Sequence, residues 1–191
     1  TRYINQNNEG YIEGIAKFYI DKTNLIAFTN DNISTDGKLM CVSRPRRFGK
    51  SLAAKMLNAY YSKGCSSKEI FDKFKIADDP DKTKHYEQYL NKYDVIYLDI
   101  QNIYGVYCDI KPEGITFVRF IQNVVINDLA IIFKDADNVD LNNKSLADLL
   151  ANINLALGNK FIFIIDEWDF IFRDLKDDNK LQIEYINLLL G

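Results

Sequence analysis

Apolar residues in this chain fall into two kinds of run that follow one another. Leu39–Ser43, Val95–Ile100 and Phe161–Ile165 are short, uninterrupted or nearly so, and read as strands, the first lying between loop signals as expected of a strand buried on both faces. Elsewhere apolar positions recur every three or four residues. Leu52, Met56 and Tyr60 form one stripe, with Ala53, Leu57 and Tyr61 beside it and Lys55, Asn58 and Ser62 opposite. This predicts an amphipathic helix ending near Gly64. Phe117, Val118, Ile121, Val124, Val125, Leu129 and Ile132 keep helical spacing, with Arg119, Gln122 and Asn123 on the far side. Their β-branching disfavours a helix only slightly, so the period decides and a long helix is predicted. Leu146, Leu149, Leu150 and Ile153 make another stripe, opened by the capping-box pattern Ser145-Leu146-Ala147-Asp148 and stopped at Gly158. Leu181–Leu190 supplies the last helical pattern.

The intervening segments are less regular. Tyr11–Ile20 has no clean period and is left unassigned. Asp21 or Thr23 is placed to cap a short helix over Leu25–Phe28, and Asn30–Gly37 carries turn chemistry. Ser66-Ser67-Lys68-Glu69 resembles a capping box for a short helix through Phe74. Ile76–Lys84, with Asp78-Asp79-Pro80-Asp81, reads as an exposed loop, and Tyr86–Tyr93 fits a helix or a loop equally. Strands alternating with helices predict an α/β fold: a mostly parallel sheet with helices on both faces, binding ligands off the carboxyl ends of its strands.

Composition narrows the class without deciding it. The 191 residues, 47% hydrophobic, suffice for one sizeable core, and a single domain is expected. A net charge of −3 gives no overall electrostatic attraction to nucleic acid. Only one stretch is locally basic, with Arg44, Arg46, Arg47 and Lys50 close together. Cys41, Cys65 and Cys108 match neither a disulfide framework nor a metal-binding spacing, so reduced thiols and a cytoplasmic location are expected. No apolar run reaches membrane-spanning length. His85 is the only histidine, which leaves a histidine metal site or a Ser-His-Asp triad almost no basis.

The chemistry concentrates in two places. Cys41-Val42-Ser43-Arg44-Pro45-Arg46-Arg47-Phe48-Gly49-Lys50-Ser51-Leu52 leads from an apolar run through a basic loop into a helical pattern. A loop that wraps a polyphosphate turns N–H groups inward, wants glycine where the chain passes closest, and gains from the positive end of the following helix. Lys50 would neutralise the β- and γ-phosphates and the Ser51 hydroxyl would hold Mg²⁺. The general pattern asks for a further glycine where this chain has Arg44. The bland alternative for Lys50 and Ser51 is an ordinary helix start. Arg46 and Arg47 could grip phosphates, bridge to a partner or be solvated.

In the second place, Phe161–Ile165 runs into Asp166-Glu167-Trp168-Asp169. Ionised carboxylates at the end of an apolar strand are unfavourable unless something there wants negative charge. A magnesium–nucleotide complex does: Asp166 would hold the ion and Glu167 would polarise the attacking water. The bland alternative is a strand-to-helix connection whose acids favour the helix dipole. Asp169 reads as structural, Trp168 as a packing residue, and Asp99 as the polar end of the second strand.

Taken in order, Phe18-Tyr19-Ile20-Asp21-Lys22-Thr23, Arg44-Pro45-Arg46-Arg47-Phe48-Gly49-Lys50-Ser51, Tyr93-Asp94-Val95-Ile96 and Phe163-Ile164-Ile165-Asp166-Glu167-Trp168-Asp169 resemble the AAA-ATPase-like family, widespread in bacteria. The resemblance implies a three-layer P-loop NTPase fold of the additional-strand type, with ATP rather than GTP as ligand and Mg²⁺ as metal. It implies the same roles for Lys50, Ser51, Asp166 and Glu167, cofactor contacts along Arg46, Arg47, Phe48, Gly49, Lys50, Ser51 and Leu52, and it accounts for Arg44. Asp94 stands where the family usually has proline, and Trp168 where it usually has tyrosine. Members often carry a PD-(D/E)XK nuclease-like domain toward the C-terminus, so a domain of that kind or a protein partner is implied. No strand pattern follows Asp169, so residues 1–191 are expected to be one AAA-like ATPase domain cut before its sensor strand. The expected function is Mg-dependent ATP binding and hydrolysis that drives or gates a partner domain. The alternative is a non-hydrolysing nucleotide-dependent switch or scaffold, associated or not with nucleic acid.

Overall fold

A computed structural model describes residues 2–16, 19–43, 45, 47–78, 80–141 and 145–190. Phe18, Arg44, Arg46 and Asp79, which figure in the sequence reading, lie outside the described residues. The fold is α/β, with a small parallel sheet flanked by helices. The chain divides into two compact units, Asn5–Val95 and Thr1–Ile4 with Ile96–Gly191.

The Asn5–Val95 unit is largely helical: α1 (Glu9–Ile15), α2 (Asn24–Asn32), a 3₁₀ turn over Asp36–Lys38, α3 (Lys50–Tyr61), α4 (Lys68–Phe71), α5 (Lys75–Asp78) and α6 (Pro80–Tyr89). Its core is aromatic. Tyr60 meets Tyr61, Phe71 and Tyr86 at ring centroid distances of 4.8, 5.5 and 6.1 Å, and Tyr11 stacks on Phe71 at 5.6 Å. The helix foreseen after the basic loop is realised as α3, which buries Met56, Ala59, Tyr60 and Tyr61; Asn58 and Ser62, expected on the opposite face, are buried as well, the Asn58 amide donating to Gln6 O and Asn7 O at 3.3 Å. Gly14 lets α1 lie against α3, because a Cβ there would collide with Leu52 Cδ1.

The far end of α3 is closed by one side chain. A helix leaves its last carbonyls without intrahelical donors. Here the Asn91 amide donates to the carbonyls of Ala59, Tyr60 and Ser62 at 3.0, 3.2 and 2.9 Å, and Asn91 N donates to Tyr60 O at 2.7 Å. Tyr93 N covers Tyr61 O, and Asn91 Oδ1 accepts from Ser67 N. Asn91 holds a positive φ of 55° to do this, a conformation that asparagine tolerates better than most residues.

The structure departs from four local expectations. Leu39–Ser43 is not a strand: it has no ladder partner, Leu39 is 76% exposed, and Cys41 and Val42 are exposed too. An apolar run becomes a strand only by pairing with another, and none of the described residues pairs with it. Ile76–Lys84 is not a loop but parts of α5 and α6, held because Ile76 is fully buried and Tyr86 nearly so. Two apolar anchors at this spacing were too few to show a period in so polar a segment. The helix foreseen over Leu25–Phe28 continues through Asn32, where turns were expected, and Thr23 caps it without a side-chain bond. For the short helix after Cys65, Ser67 rather than Ser66 is the N-cap, again without a side-chain bond.

In the other unit β1 (Asp94–Asp99), which opens at the unit boundary, pairs with β2 (Phe161–Asp166). The remaining elements are α7 (Ile100–Ile110), α8 (Phe117–Ile132), α9 (Leu146–Leu157), α10 (Phe170–Asp174) and α11 (Asn179–Leu190). The α8 stripe is as predicted, with Phe117, Ile121, Val125 and Leu129 buried in one cluster with Ile96, Leu98, Leu149 and Ile153. Ser145 caps α9, its hydroxyl accepting from Asp148 N at 3.4 Å, and Gly158 ends it in the left-handed region. Two helices, α7 and α10, carried no sequence signal strong enough to foresee.

Asp21 ties α2 to α5. Its carboxylate accepts from Thr23 N at 2.8 Å, Thr23 Oγ1 at 2.7 Å and Lys75 N at 2.9 Å, while Thr23 Oγ1 accepts from Ile76 N at 3.2 Å. Burial alone would raise the Asp21 pKa, but the hydrogen bonds from Lys75 and Thr23 outweigh it and hold the carboxyl below its ordinary value. A carboxylate favoured by folding stabilises above its unfolded pKa, and that contribution is lost as pH falls through the folded one. Asp21→Asn should therefore melt below the wild type at neutral pH, with the gap closing under about pH 4. Melting curves from pH 7 to pH 3 test this, and a gap that stays constant would show that the charge is not what holds the tie.

Candidate functional site

The basic loop leads directly into α3. Arg47 has φ +68° and Gly49 φ +78°, both left-handed, and Gly49 is the residue before the first helical position. The first intrahelical bond runs from Ala53 N to Gly49 O at 3.0 Å, so the backbone N–H groups of Lys50, Ser51 and Leu52 precede it in the first turn. That turn carries the positive end of the helix dipole. Ser51 is exposed, Lys50 is half-buried, and Phe48 is 62% exposed at the loop tip. Leu52 points its side chain at Gly14 of α1, so only its backbone is placed to meet a ligand. The motif's context is half formed: the helix follows the loop, but the strand expected before it is absent.

One residue outside the motif joins it. Lys22 Nζ donates to Phe48 O at 2.6 Å, and a Cβ on Gly49 would stand 3.0 Å from that ammonium. No period or spacing marked Lys22; the only signal was its place in the Asp21-Lys22-Thr23 block.

The second group of site residues is a turn in the other unit. Asp166 ends β2 with its side chain buried, 7% exposed. Tyr97 OH, from β1, donates to Asp166 Oδ2 at 3.1 Å, and Glu167 N donates to Oδ1 at 3.0 Å. Burial first, and the Asp166 charge second, push the Tyr97 phenol far above its ordinary pKa, so it remains a donor. Among the described residues no cation pairs with Asp166. Glu167 has φ +50°, uncommon outside glycine and asparagine. Its carboxylate accepts from Arg173 Nη2 at 3.1 Å, and the same guanidinium bonds Asp169 at 3.2 Å and Asp174 at 2.6 Å. Trp168 packs edge-on to Phe172 at 6.3 Å. Asp99 caps α7, its carboxylate accepting from Asn102 N at 2.9 Å. Tyr97 and Arg173 were missed by the sequence reading. A tyrosine in an apolar strand looks like core, and an arginine past a turn looks like surface.

Lys50, Ser51 and Gly49 thus come together at one helix start, and Asp166 and Glu167 in one turn. Among the described residues no group of three or more His, Cys, Asp and Glu is arranged to hold a metal, and no helix is long and apolar enough to cross a membrane. His85 stacks on Tyr89 at 6.4 Å.

The family model described as predicted AAA-ATPase matches residues 8–190. The chain belongs to this AAA-ATPase-like family. Comparison with curated proteins and with solved structures gave no match. Membership places the chain among AAA-type ATPases by description, and the matched span takes in both the Gly49–Ser51 helix start and the Asp166–Glu167 turn.

Gly49→Ala should lower stability by about 1–2 kcal/mol, because a Cβ is strained in the left-handed region whereas the Lys22 side chain can swing aside. Urea unfolding measures this. Unchanged stability would mean that the loop relaxes out of the left-handed turn.

Proposed function

We propose that this chain is a magnesium-dependent ATP-binding and ATP-hydrolysing module whose turnover drives or gates a partner domain or protein. The observation that carries the reading is the helix start: a left-handed glycine delivers Lys50 and Ser51 into the first turn of α3, in the order that phosphate loops use. Family membership supports it at the level of an AAA-type ATPase. A nuclease-like partner of the PD-(D/E)XK kind rests on the resemblance alone, and a net charge of −3 gives nucleic acid no support.

Each unit offers an oxygen donor of the kind magnesium takes: Asp166 is a buried carboxylate with no cationic partner among the described residues of its unit, and Ser51 in the other unit has an exposed hydroxyl. Magnesium takes few protein oxygens, keeping waters and phosphate oxygens for the rest, so a cluster of three acids is not required. When bound, the ion supplies positive charge that offsets the polyphosphate. Lys50 would hold the β- and γ-phosphates through its ammonium, and Arg46, Arg47, Phe48, Gly49 and Leu52 would surround them. Tyr97 fixes the direction of the Asp166 carboxylate. Glu167 would orient water and take its proton, which requires its carboxylate to leave Arg173.

That ion pair favours a second reading. A carboxylate engaged by a guanidinium is not free to position water, so the chain would bind ATP and hydrolyse it slowly, acting as a switch or scaffold. Phosphate release by the intact protein separates the two. Under the first reading Lys50→Ala loses ATP binding, while Glu167→Gln keeps it and slows turnover by about 100-fold or more. Tight binding with no phosphate release would establish the switch, and Lys50→Ala with wild-type affinity would remove the loop from the site.

A further inference from the structure

Lys22 is a surface lysine whose backbone is unusually well fixed. Asp21 before it is bonded to Thr23 and Lys75, and Thr23 after it is fully buried and bonded to Ile76 N. From this post the side chain reaches the loop, where Nζ donates to Phe48 O at 2.6 Å. It comes within 3.0 Å of the Cβ position of Gly49. Glycine stands in such loops where the chain passes closest to phosphate. The ammonium therefore lies beside the point of closest approach.

Its charge is not matched there. Among the described residues no carboxylate pairs with Lys22, and the adjacent Asp21 carboxylate is turned to Thr23 and Lys75. A carbonyl offers a dipole and engages one N–H of an ammonium that has several. Cationic Arg47 and Lys50 lie on the same short loop.

We propose that Lys22 is a second phosphate-contacting cation of this loop, clasping the Phe48 carbonyl with one N–H and taking a nonbridging phosphate oxygen of the nucleotide with another. The proposal rests on the phosphate-loop reading of Gly49–Leu52. It makes Lys22 both a strut that holds the loop and a source of charge that Lys50 alone does not provide.

The test is calorimetric titration of the intact protein with MgATP at low and high KCl, with melting temperatures taken without nucleotide. Lys22→Met removes both donor and charge. Lys22→Gln keeps a donor for Phe48 O without the charge, and Lys22→Arg keeps both. A charge-assisted hydrogen bond lost from the complex should weaken MgATP binding by about tenfold in the Met and Gln variants and much less in the Arg variant. Their affinities should also fall less steeply with added salt than that of the wild type. If Lys22→Gln binds with wild-type affinity and salt dependence while Lys50→Ala does not bind, Lys22 is a strut only; the proposal fails and the phosphate-loop reading stands. If the wild type itself does not bind MgATP, both fail.

Discussion

Gly49 turns into the left-handed region, and the rest of the candidate phosphate site follows from that turn. A residue with a Cβ would resist it, and without it the chain would not enter α3 at Lys50. The turn fixes which N–H groups fall in the first helical turn, which side chain opens the helix, and where the Phe48 carbonyl points for Lys22 to grasp. Cationic residues so close together repel one another, so such a loop is held by structure rather than by its own charges. That structure is the Asp21–Thr23 tie to α5 and the contact of Leu52 with Gly14.

The acidic turn is built on a different principle. Asp166 is buried and receives only neutral donors, whereas Glu167, on a strained backbone, is held by a shared guanidinium. Adjacent carboxylates thereby acquire distinct surroundings. One meets no cation among the described residues; the other is paired with Arg173. Division of labour between neighbouring acids commonly arises in this way, since surroundings rather than residue type set what a carboxylate can do.

What could be read from the sequence was what depends on local chemistry or on a long period. The α8 stripe of Phe117, Ile121, Val125 and Leu129 could be read because repeats one turn apart leave little ambiguity, and β2 because an apolar run ended cleanly at Asp166. The passage from the basic loop into a helix could be read because the apolar stripe begins directly after Gly49-Lys50-Ser51. The failures share a cause. Leu39–Ser43 has the composition of a strand, but strandhood depends on a partner elsewhere in the chain. Ile76 and Tyr86 anchor helices in a segment too polar to advertise them. Tyr97 and Arg173 meet the acidic turn only through folding, and a lone polar atom in a strand, or a lone arginine after a turn, carries no spacing to betray that.

The closure of α3 by Asn91 affects how sequence variation in this chain should be interpreted. A helix of this length extends for about 18 Å, so Asn91 grips the end opposite the basic loop. Losing its amide would strand several buried carbonyls at once and loosen the scaffold beneath Lys50. Any survey that scores variants solely by enzymatic output would therefore count Asn91 among the residues that handle nucleotide. Its true office is architectural, the keystone of a helix whose business lies at the other end.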